Sequence, residues 1–317
     1  MAPRMIRAVR RPAEGRSRRT RTSLGRMRIL LTGATGLLGG ALLGLLAEDY
    51  ETRCLVRADS SNVSRLDGER VEVFRGDASD EEDLYTALGG IDALLHVAGI
   101  EYAPPVVRAA SRAGIERILV VGSTSAHSSH AFRAGPKLRM EEVVRGSGLA
   151  WTVVRPSMIY GSERDRNVHR LLHFLDRWPV FPIFGPGTSL WQPVYYEDCA
   201  RGILEALKRP DSVHRSYDLP GAEPLTYLDL VLTAAAALGR EPRIVRLPIE
   251  PVRRALVAAE RLRLPLPIDS GQVTRLREDK AYPYGDARRD LGYAPRPFSE
   301  GVALEVARLR RLGMVRS

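Results

Sequence analysis

The chain has 317 residues, enough to bury the core of one large α/β domain or of a domain with a nested cap. Its formal net charge of +10 at pH 7 is of the size found in nucleic-acid-binding proteins. However, residues 1–26 hold nine arginines and one acidic residue, so +8 of that charge lies there and +2 is left for residues 27–317. The small net charge of residues 27–317 therefore gives no reason to expect that they bind nucleic acid.

Residues 1–26 are predicted to be a basic, disordered extension, or a stretch upstream of a natural start at Met27. The alternative is an arm that binds nucleic acid or anionic lipid. Residues 1–26 hold no continuous apolar core of signal-peptide length, and no later run is long and apolar enough to span a bilayer, so we expect a cytoplasmic protein without a membrane span. Cys54 and Cys199 form neither a disulfide framework nor a metal-binding spacing, and we predict that they are packing residues and that the chain holds no metal.

The first predicted strand, 28–32, leads into a glycine-rich turn and an apolar helical segment. Glycines at such a turn let the backbone approach a pyrophosphate, and the helix N-terminus offers free N–H groups and the positive end of its dipole. The spacing is G-x-x-G-x-x-G, which differs from the usual G-x-G-x-x-G fingerprint of dinucleotide-binding turns. The residues expected to hold a dinucleotide here are Gly33, Thr35, Gly36, Leu37, Leu38 and Gly39.

Short apolar runs then alternate with helical patterns up to about residue 155. The predicted strands are 28–32, 52–57, 71–75, 92–97, 116–122 and 150–155, and the predicted helices are 37–48, 80–88, 103–113 and 136–147. This alternation favours right-handed βαβ units. We therefore predict an α/β fold with a Rossmann-type, doubly wound parallel sheet.

Beyond Tyr160 the alternation weakens, and proline-rich segments interrupt the helical patterns. These segments are 179–193, 220–224 and 242–267; the helices are predicted at 198–208, 226–238, 250–263 and 299–312, with short strands near 214–219 and 243–247. Open α/β sheets bind ligands at the carboxyl edge of their strands. We expect one domain over 27–317, with a smaller substrate cap over that edge formed mainly by 162–193 and 220–285.

Arg57 ends the second predicted strand, where a cofactor with a free ribose 2′-OH usually meets a carboxylate. A guanidinium group can instead pair with a 2′-phosphate through two charge-assisted hydrogen bonds, and Ser60, Ser61 and Arg65 offer further donors. NADP(H) is therefore favoured over NAD(H). Asp59 is the opposing residue, because NAD(H) becomes the better choice if its carboxylate turns toward the ribose.

Two further strand ends are predicted to contact the dinucleotide. Asp77 follows the third strand, where a short carboxylate can accept from the adenine amino group. Ala98 and Gly99 follow the fourth strand, where small residues let the backbone lie against the dinucleotide. His96, near the end of that strand, is interpreted as a packing or hydrogen-bonding residue.

Six stretches resemble the extended or atypical short-chain dehydrogenases/reductases, the group that holds NAD(P)-dependent epimerases/dehydratases and NmrA-like proteins. They are TGATGLLG (32–39), GD (76–77), HVAG (96–99), GSTSAH (122–127), RPSMIYG (155–161) and WQPVYYEDCA (191–200). The resemblance implies oxidoreductase or epimerase/dehydratase chemistry and, in many members, a homodimer formed through two helices. It also implies that Pro156 and Ser157 contact the nicotinamide carboxamide.

In this family a tyrosine four residues before a lysine transfers the proton, and a Ser or Thr helps to hold the substrate oxygen. One helical turn places the two side chains on one face, and the ammonium lowers the pKa of the phenol from about 10. Lys137, Ser125 and Thr124 match this pattern, but Arg133 stands where the tyrosine is expected. No lysine in the chain has a tyrosine four residues before it.

Three interpretations of that departure remain open. In the first, Lys137 binds the nicotinamide ribose and another group transfers the proton: His127 or His130 from the loop above the site, or Tyr160 or Tyr195 from the cap. In the second, the protein binds NADP(H) without chemistry, as a sensor or assembly factor; NmrA-like proteins and an accessory subunit of respiratory complex I are family precedents. In the third, the nucleotide is only structural.

The leading functional hypothesis is an NADP(H)-dependent oxidoreductase or epimerase/dehydratase that acts on a small carbonyl or hydroxyl compound, for example a nucleotide sugar. Arg164, Arg166, His169 and Arg170 in the predicted cap are candidates to meet an anionic substrate. The alternative hypothesis is a non-catalytic NADP(H)-sensing or assembly protein. Neither the substrate nor the oligomeric state follows from the sequence.

Overall fold

Seven parallel strands form the central sheet of the computed structural model, which describes residues 26–60, 62–66, 70–261, 271 and 276–316. The strands are β1 (Met27–Thr32), β2 (Tyr50–Val56), β3 (Val71–Arg75), β4 (Ala93–His96), β5 (Arg117–Val121), β6 (Ala150–Pro156) and β11 (Arg215–Leu219). Their order in the sheet is β11-β6-β5-β4-β1-β2-β3, and each neighbouring pair is parallel. The predicted doubly wound parallel sheet is thus confirmed.

Helices cover both faces of this sheet. They are α1 (Leu37–Leu46), α2 (Glu81–Ala87), α3 (Ala103–Ala113), α4 (Ala131–Arg145), α6 (Tyr196–Lys208) and α9 (Gly285–Leu291). One apolar core lies between the sheet and α1 and α6, and a second lies between the sheet and α2, α3 and α4. Residues 29–31 of β1 are fully buried because both faces of the strand are covered. The strand order changes direction between β1 and β4, which places the ligand crevice above their carboxyl ends.

The remaining elements form a smaller unit at that edge. Its helices are α5 (Val168–Arg177), α7 (Tyr227–Leu238), α8 (Ile249–Arg261) and α10 (Phe298–Arg311), and its short strands are β7 (Ile159–Tyr160), β8 (Val180–Phe184), β9 (Leu190–Trp191), β10 (Val194–Tyr195), β12 (Leu225–Thr226) and β13 (Arg243–Leu247). Buried residues of α5, α7 and α10 share one apolar core. No helix of the described ranges is both long enough and apolar enough to cross a bilayer.

The start of one helix and the presence of another differ from the predictions. Helix α4 begins at Ala131 instead of 136, so Pro136 lies inside the helix and Lys137 lies in its second turn. The first residues of α4 are exposed, so water can satisfy the carbonyl group that Pro136 leaves without a helical donor. Helix α5 was not predicted, although Val168, Leu172 and Leu175 are buried at helical spacing.

Several expectations concern residues outside the described ranges. The basic extension, except for Arg26, lies there, as do Ser61 and residues 262–270 and 272–275 of the predicted cap. Cys54 and Cys199 are both buried, as predicted for packing residues.

Candidate functional site

The glycine-rich turn between β1 and α1 closes so tightly that side chains are excluded. Gly33 has a φ of +77°, and the N–H group of Gly36 donates to the Gly33 carbonyl over 3.0 Å. A Cβ atom on Gly39 would lie 2.1 Å from the Gly33 oxygen. A Cβ atom on Gly33 would lie 2.9 Å from the backbone nitrogen of Ala98, so the turn also lies directly against the end of β4.

Helix α1 begins at this turn without a side-chain cap. Gly36 is the N-cap residue, no side chain accepts from the first turn, and that turn contains no acidic residue. The N–H groups of residues 37–39 therefore have no helical acceptor and are available to an anion. These N–H groups fit a dinucleotide pyrophosphate, and a Cβ atom at Gly39 would clash with the backbone of the turn that presents them, as one at Gly33 would with the backbone of Ala98.

A buried hydrogen-bond network fixes the adjoining end of β4. Nδ1 of His96 lies 2.8 Å from the Thr32 hydroxyl, and Nε2 lies 2.7 Å from the Gly99 carbonyl. Burial lowers the pKa of His96 to about 4. The imidazole is therefore neutral at pH 7, with Nε2 donating to Gly99 and Nδ1 accepting from Thr32. His96 thus shapes the loop that carries Ala98 and Gly99, in agreement with its interpretation as a hydrogen-bonding residue.

Arg57 and Asp59 lie close together beyond the end of β2. Arg57 Nε is 3.6 Å from Asp59 Oδ1, and both side chains are largely exposed. Asp77, beyond the neighbouring β3, accepts from the backbone N–H and the hydroxyl of Ser79, each over 2.8 Å. These bonds lower the pKa of Asp77 and keep its carboxylate ionised.

Two arginines meet at the outer side of the glycine-rich turn. Arg65 donates to the Thr35 carbonyl over 3.2 Å, and Arg164 donates to the same oxygen. Burial, followed by the nearby charge of Arg65, lowers the pKa of Arg164. Arg164 therefore lies over the turn that is expected to hold the dinucleotide.

Lys137 forms an ion pair near the end of β4. Its ammonium nitrogen lies 3.2 Å from Oε2 of Glu101, and the hydrogen bond and charge of Lys137 help to keep the pKa of Glu101 below its usual range although burial opposes them. Glu101 also lies against the backbone of Gly99, because a Cβ atom there would be 2.5 Å from Glu101 Oε1. Lys137 is thus held beside the loop expected to contact the dinucleotide.

A cavity of about 510 Å³ lies beside the ends of β5 and β6. Thr124 and Ser125 reach it from a 3₁₀ turn that Ser123 caps by accepting from the Ser125 N–H over 3.2 Å. The cavity is lined by Ser123, Thr124, Ser125, Ser128, Arg133, Ser157, Met158, Asn167, Arg170, Trp191, Gln192, Leu276, Glu278, Lys280 and Tyr282. Of the candidate residues, Thr124, Ser125, Ser157 and Arg170 belong to this lining, whereas Lys137 and His127 do not.

Pro156 and Ser157 follow one another at the end of β6. Pro156 is buried and pairs in register with Leu219 of β11. The Ser157 hydroxyl donates to the Gln192 carbonyl over 2.5 Å, which holds Ser157 at the wall of the cavity.

His127 belongs to a charged network beside the cavity. Its Nε2 lies 3.0 Å from both carboxylate oxygens of Asp218, and Asp218 also lies 3.5 Å from Arg155. Arg155 makes two hydrogen bonds to the fully buried Glu141, of 2.7 and 2.6 Å. His127 is therefore oriented by a carboxylate, at an exposed position.

The tyrosines considered from the sequence are packing residues. Tyr160 is fully buried against Tyr195 and Phe298, and its hydroxyl lies 3.4 Å from the Phe298 carbonyl. Neither Tyr160 nor Tyr195 lines the cavity. Tyr282, which sequence reasoning missed, does line it. A search confined to the Tyr-x-x-x-Lys spacing finds no signal for Tyr282, since it lies after a lysine and far along the chain.

Comparison with known proteins gives a consistent result. A family model described as NAD(P)H-binding matches residues 33–173, from the glycine-rich turn through Arg57 and Lys137. The chain is 30% identical over 235 residues to the ceramide reductase of Caulobacter vibrioides, which covers 69% of this chain and 73% of that protein. It is 27% identical over 289 residues to the mitochondrial NADH dehydrogenase (ubiquinone) 1 alpha subcomplex subunit 9 of Arabidopsis thaliana. That alignment covers 82% of this chain and 71% of the Arabidopsis protein.

A solved structure supports the same fold. The UDP-glucose 4-epimerase of Thermotoga maritima, with UDP-glucose, superposes with a TM-score of 0.71 and 18% sequence identity. The alignment covers 90% of this chain and 99% of that one. At this identity the likeness concerns the fold, and it extends through the smaller unit at the edge of the sheet as well as the central sheet.

Proposed function

We propose that this chain, which belongs to the NAD(P)H-binding family of the reductases and epimerases described above, is an NADP(H)-dependent reductase for a small carbonyl substrate. The family resemblance expected from the motifs is confirmed by the matches. The observation that carries the proposal is the uncapped, glycine-lined start of α1 facing the end of β4. That backbone surface has the shape and the donors that a pyrophosphate needs.

Arg57 supports NADP(H) as the preferred form of the cofactor. It lies beyond the end of β2, where the adenosine ribose is held in this fold, and its guanidinium group is exposed. A 2′-phosphate pairs with such a group more strongly than the Asp59 carboxylate does at 3.6 Å, because the phosphate can accept two hydrogen bonds. Asp77 remains the candidate acceptor for the adenine amino group.

The residues around the cavity are suited to hold a carbonyl group. Thr124 and Ser125 present hydroxyl groups to it, and Lys137 lies near the Gly99 loop, within the family's position for the nicotinamide ribose. Pro156 and Ser157 form the candidate wall for the carboxamide. A bound nicotinamide supplies the hydride, while Thr124 and Ser125 orient the carbonyl oxygen and Lys137 orients the ribose. His127, paired with Asp218, is a candidate to support proton transfer from outside the cavity.

The charges of the cavity favour an anionic group on the substrate. Among the described residues, Arg133, Arg170 and Lys280 line it together with one carboxylate, that of Glu278. Glu278 lies 3.7 Å from Arg133. An anionic substituent, such as a phosphate or a carboxylate, would balance the excess positive charge of this wall.

A non-catalytic sensor or assembly protein is the second candidate. Arg133 in place of the expected tyrosine favours it, and so does the similarity to the Arabidopsis subunit of NADH dehydrogenase. The two functions predict the same cofactor binding and differ in turnover.

The test separates binding from turnover. Calorimetric titration with NADPH and NADH measures binding, and loss of nicotinamide absorbance with a panel of neutral and anionic carbonyl compounds measures turnover. We expect tighter binding of NADPH, turnover by the natural protein and loss of turnover in Lys137→Ala. Lys208→Ala, which changes a surface lysine paired with Asp49, is the matched control. Absence of NADPH binding contradicts the whole proposal, whereas binding without turnover favours the sensor.

A further inference from the structure

Resting on the proposed reductase function, we infer that Tyr282 donates the proton to the substrate oxygen, in place of the tyrosine that Arg133 replaces. In the described part of the chain, Tyr282 is the only tyrosine that lines the cavity beside Thr124 and Ser125. Burial raises the pKa of its phenol above the usual range, and hydrogen bonding from the Thr124 side chain opposes part of that rise. The phenol and the hydroxyl groups expected to hold a carbonyl oxygen thus meet in one place.

The segment that carries Tyr282 is fastened to the rest of the molecule at several points. The Tyr282 N–H donates to Gln192 Oε1 over 2.8 Å, and Gln192 is itself buried and donates to the Gly221 carbonyl over 2.8 Å. Lys280 donates through its backbone N–H to Leu190 over 2.7 Å. These bonds hold the backbone of the segment at the cavity wall, which positions a residue that must donate a proton there.

The contacts of this segment alternate along its length. Glu278, Lys280 and Tyr282 line the cavity, whereas Asp279 and Pro283 are exposed. This two-residue period is that of an extended chain with one face toward the site. Glu278 anchors the start of the segment by accepting from the hydroxyl of Ser128 over 2.6 Å.

Arg133 does not take over the role of the missing tyrosine. A guanidinium group stays protonated at any working pH and cannot give up a proton to an alkoxide. Tyr282 lines the same cavity from the segment at 276–284 instead of from α4. With Arg133 at the position of the family's tyrosine and Tyr282 in the cavity lining, the cavity still contains a phenol.

In the proposed step, a proton moves from Tyr282 to the substrate oxygen. As hydride reaches the carbonyl carbon, the C=O π pair moves to the oxygen; the O–H bond of Tyr282 breaks and its proton forms the new O–H bond of the alcohol. The electron pair of the broken bond stays on Tyr282 as a phenolate, which the Thr124 hydroxyl stabilises with its single proton, while the Ser125 hydroxyl donates to the substrate oxygen. Water then returns a proton to the phenolate. The net reaction consumes one carbonyl compound, one reduced nicotinamide and one proton, and it gives the alcohol and the oxidised nicotinamide.

The experiment compares Tyr282→Phe with Tyr284→Phe. Tyr284 lies on the same segment, but its hydroxyl donates to the Ala222 carbonyl over 3.1 Å and it does not line the cavity. For Tyr282→Phe we expect a loss of roughly 100-fold or more in the single-turnover rate of carbonyl reduction, with the dissociation constant of NADPH unchanged. Tyr284→Phe should retain the natural rate.

A second measurement does not depend on turnover. Ultraviolet titration of tyrosinate should show one phenol lost in Tyr282→Phe, and Thr124→Val should raise the pKa of that same phenol because its hydrogen bond is removed. Full activity of Tyr282→Phe, or an unchanged titration in Thr124→Val, would overturn the inference while leaving the reductase intact. NADPH binding without turnover in the natural protein would overturn the inference together with the reductase, and failure to bind NADPH would overturn the proposed function at its first step.

Discussion

The ammonium group of Lys137 lies 3.2 Å from the carboxylate of Glu101, at the loop where the nicotinamide ribose is expected. The pair would place a negative charge beside the proposed anionic cofactor and occupies the ammonium group proposed to bind the ribose. We therefore predict that Glu101→Gln tightens NADPH binding about 3- to 10-fold, as expected for a change of roughly 1 kcal/mol in a partly exposed ion pair. Glu142→Gln, an exposed carboxylate on α4, is the control, with calorimetry as the measurement. Weaker binding in Glu101→Gln would show that the carboxylate accepts from the ribose instead.

Two glycines of α1 should respond to alanine in opposite ways. Gly39→Ala places a Cβ atom 2.1 Å from the Gly33 oxygen, so the turn must open. We expect loss of measurable NADPH binding and a lower melting temperature. At Gly44 a Cβ atom meets nothing within 4 Å, so Gly44→Ala should stabilise the helix by about 0.5–1 kcal/mol and leave binding unchanged. Thermal denaturation and NADPH titration of both variants check this, and equal behaviour of the two would contradict it.

The preference between the two coenzymes should depend on Arg57. Removing its guanidinium group takes away the charge-assisted bonds to a 2′-phosphate, so Arg57→Ala should weaken NADPH roughly 10- to 30-fold while NADH changes little. Arg70→Ala removes an exposed arginine that directly precedes β3, at the edge of the sheet away from the proposed cofactor. It should alter the dissociation constant of neither NADPH nor NADH. If Arg57→Ala weakens both coenzymes equally, the side chain does not select the phosphate.

Glu305 should make stability depend on pH. It is fully buried in α10, and burial, followed by the nearby charge of Asp165, raises its pKa to about 10. The native state therefore keeps a proton that the unfolded chain loses above pH ~4.5, and the free energy of unfolding falls as pH rises from there toward about 10. The glutamine in Glu305→Gln cannot ionise. The free energy of unfolding of this variant, relative to that of the natural protein, should therefore increase by up to roughly 1.4 kcal/mol for each pH unit over that range.

Urea denaturation at about pH 5 and about pH 8 measures this difference. Glu300→Gln, at an exposed position of the same helix, is the control and should show a constant difference. A pH-independent difference for Glu305→Gln would mean that Glu305 is ionised in the native state.

Arg170 should distinguish anionic from neutral substrates. It lines the cavity from α5 and is exposed there. Arg170→Ala should raise the KM for an anionic carbonyl compound about 5-fold, since an exposed charge pair contributes roughly 1 kcal/mol, and should leave a neutral compound of the same size unaffected. Arg177→Ala, an exposed arginine on the same helix, is the comparison. A uniform rise for both compounds would indicate a general disturbance of α5.

The sequence was most informative where local patterns determine structure. The strand–glycine–helix pattern at 28–39 predicted β1, the turn and α1, because the apolar run and the glycines are consecutive. It was least informative where the site joins distant segments. Tyr282 reaches Thr124 only because Lys280 pairs with Leu190 and Gln192 binds the Tyr282 backbone, and no periodicity records such contacts. The start of α4 was placed too late because Pro136, usually a residue of the first helical turn, lies inside the helix.

The close contact between Tyr160 and α10 has a consequence for how the molecule is made. Gly301 approaches the Tyr160 ring so closely that a Cβ atom there would lie 2.0 Å from the phenol oxygen, and Phe298 packs on the same ring. During synthesis the strands of the central sheet leave the ribosome well before residues 298–309. The central sheet can therefore assemble while the smaller unit still lacks its last helix, α10. A nascent chain released before Leu309 would thus present an unfinished apolar surface to chaperones and proteases.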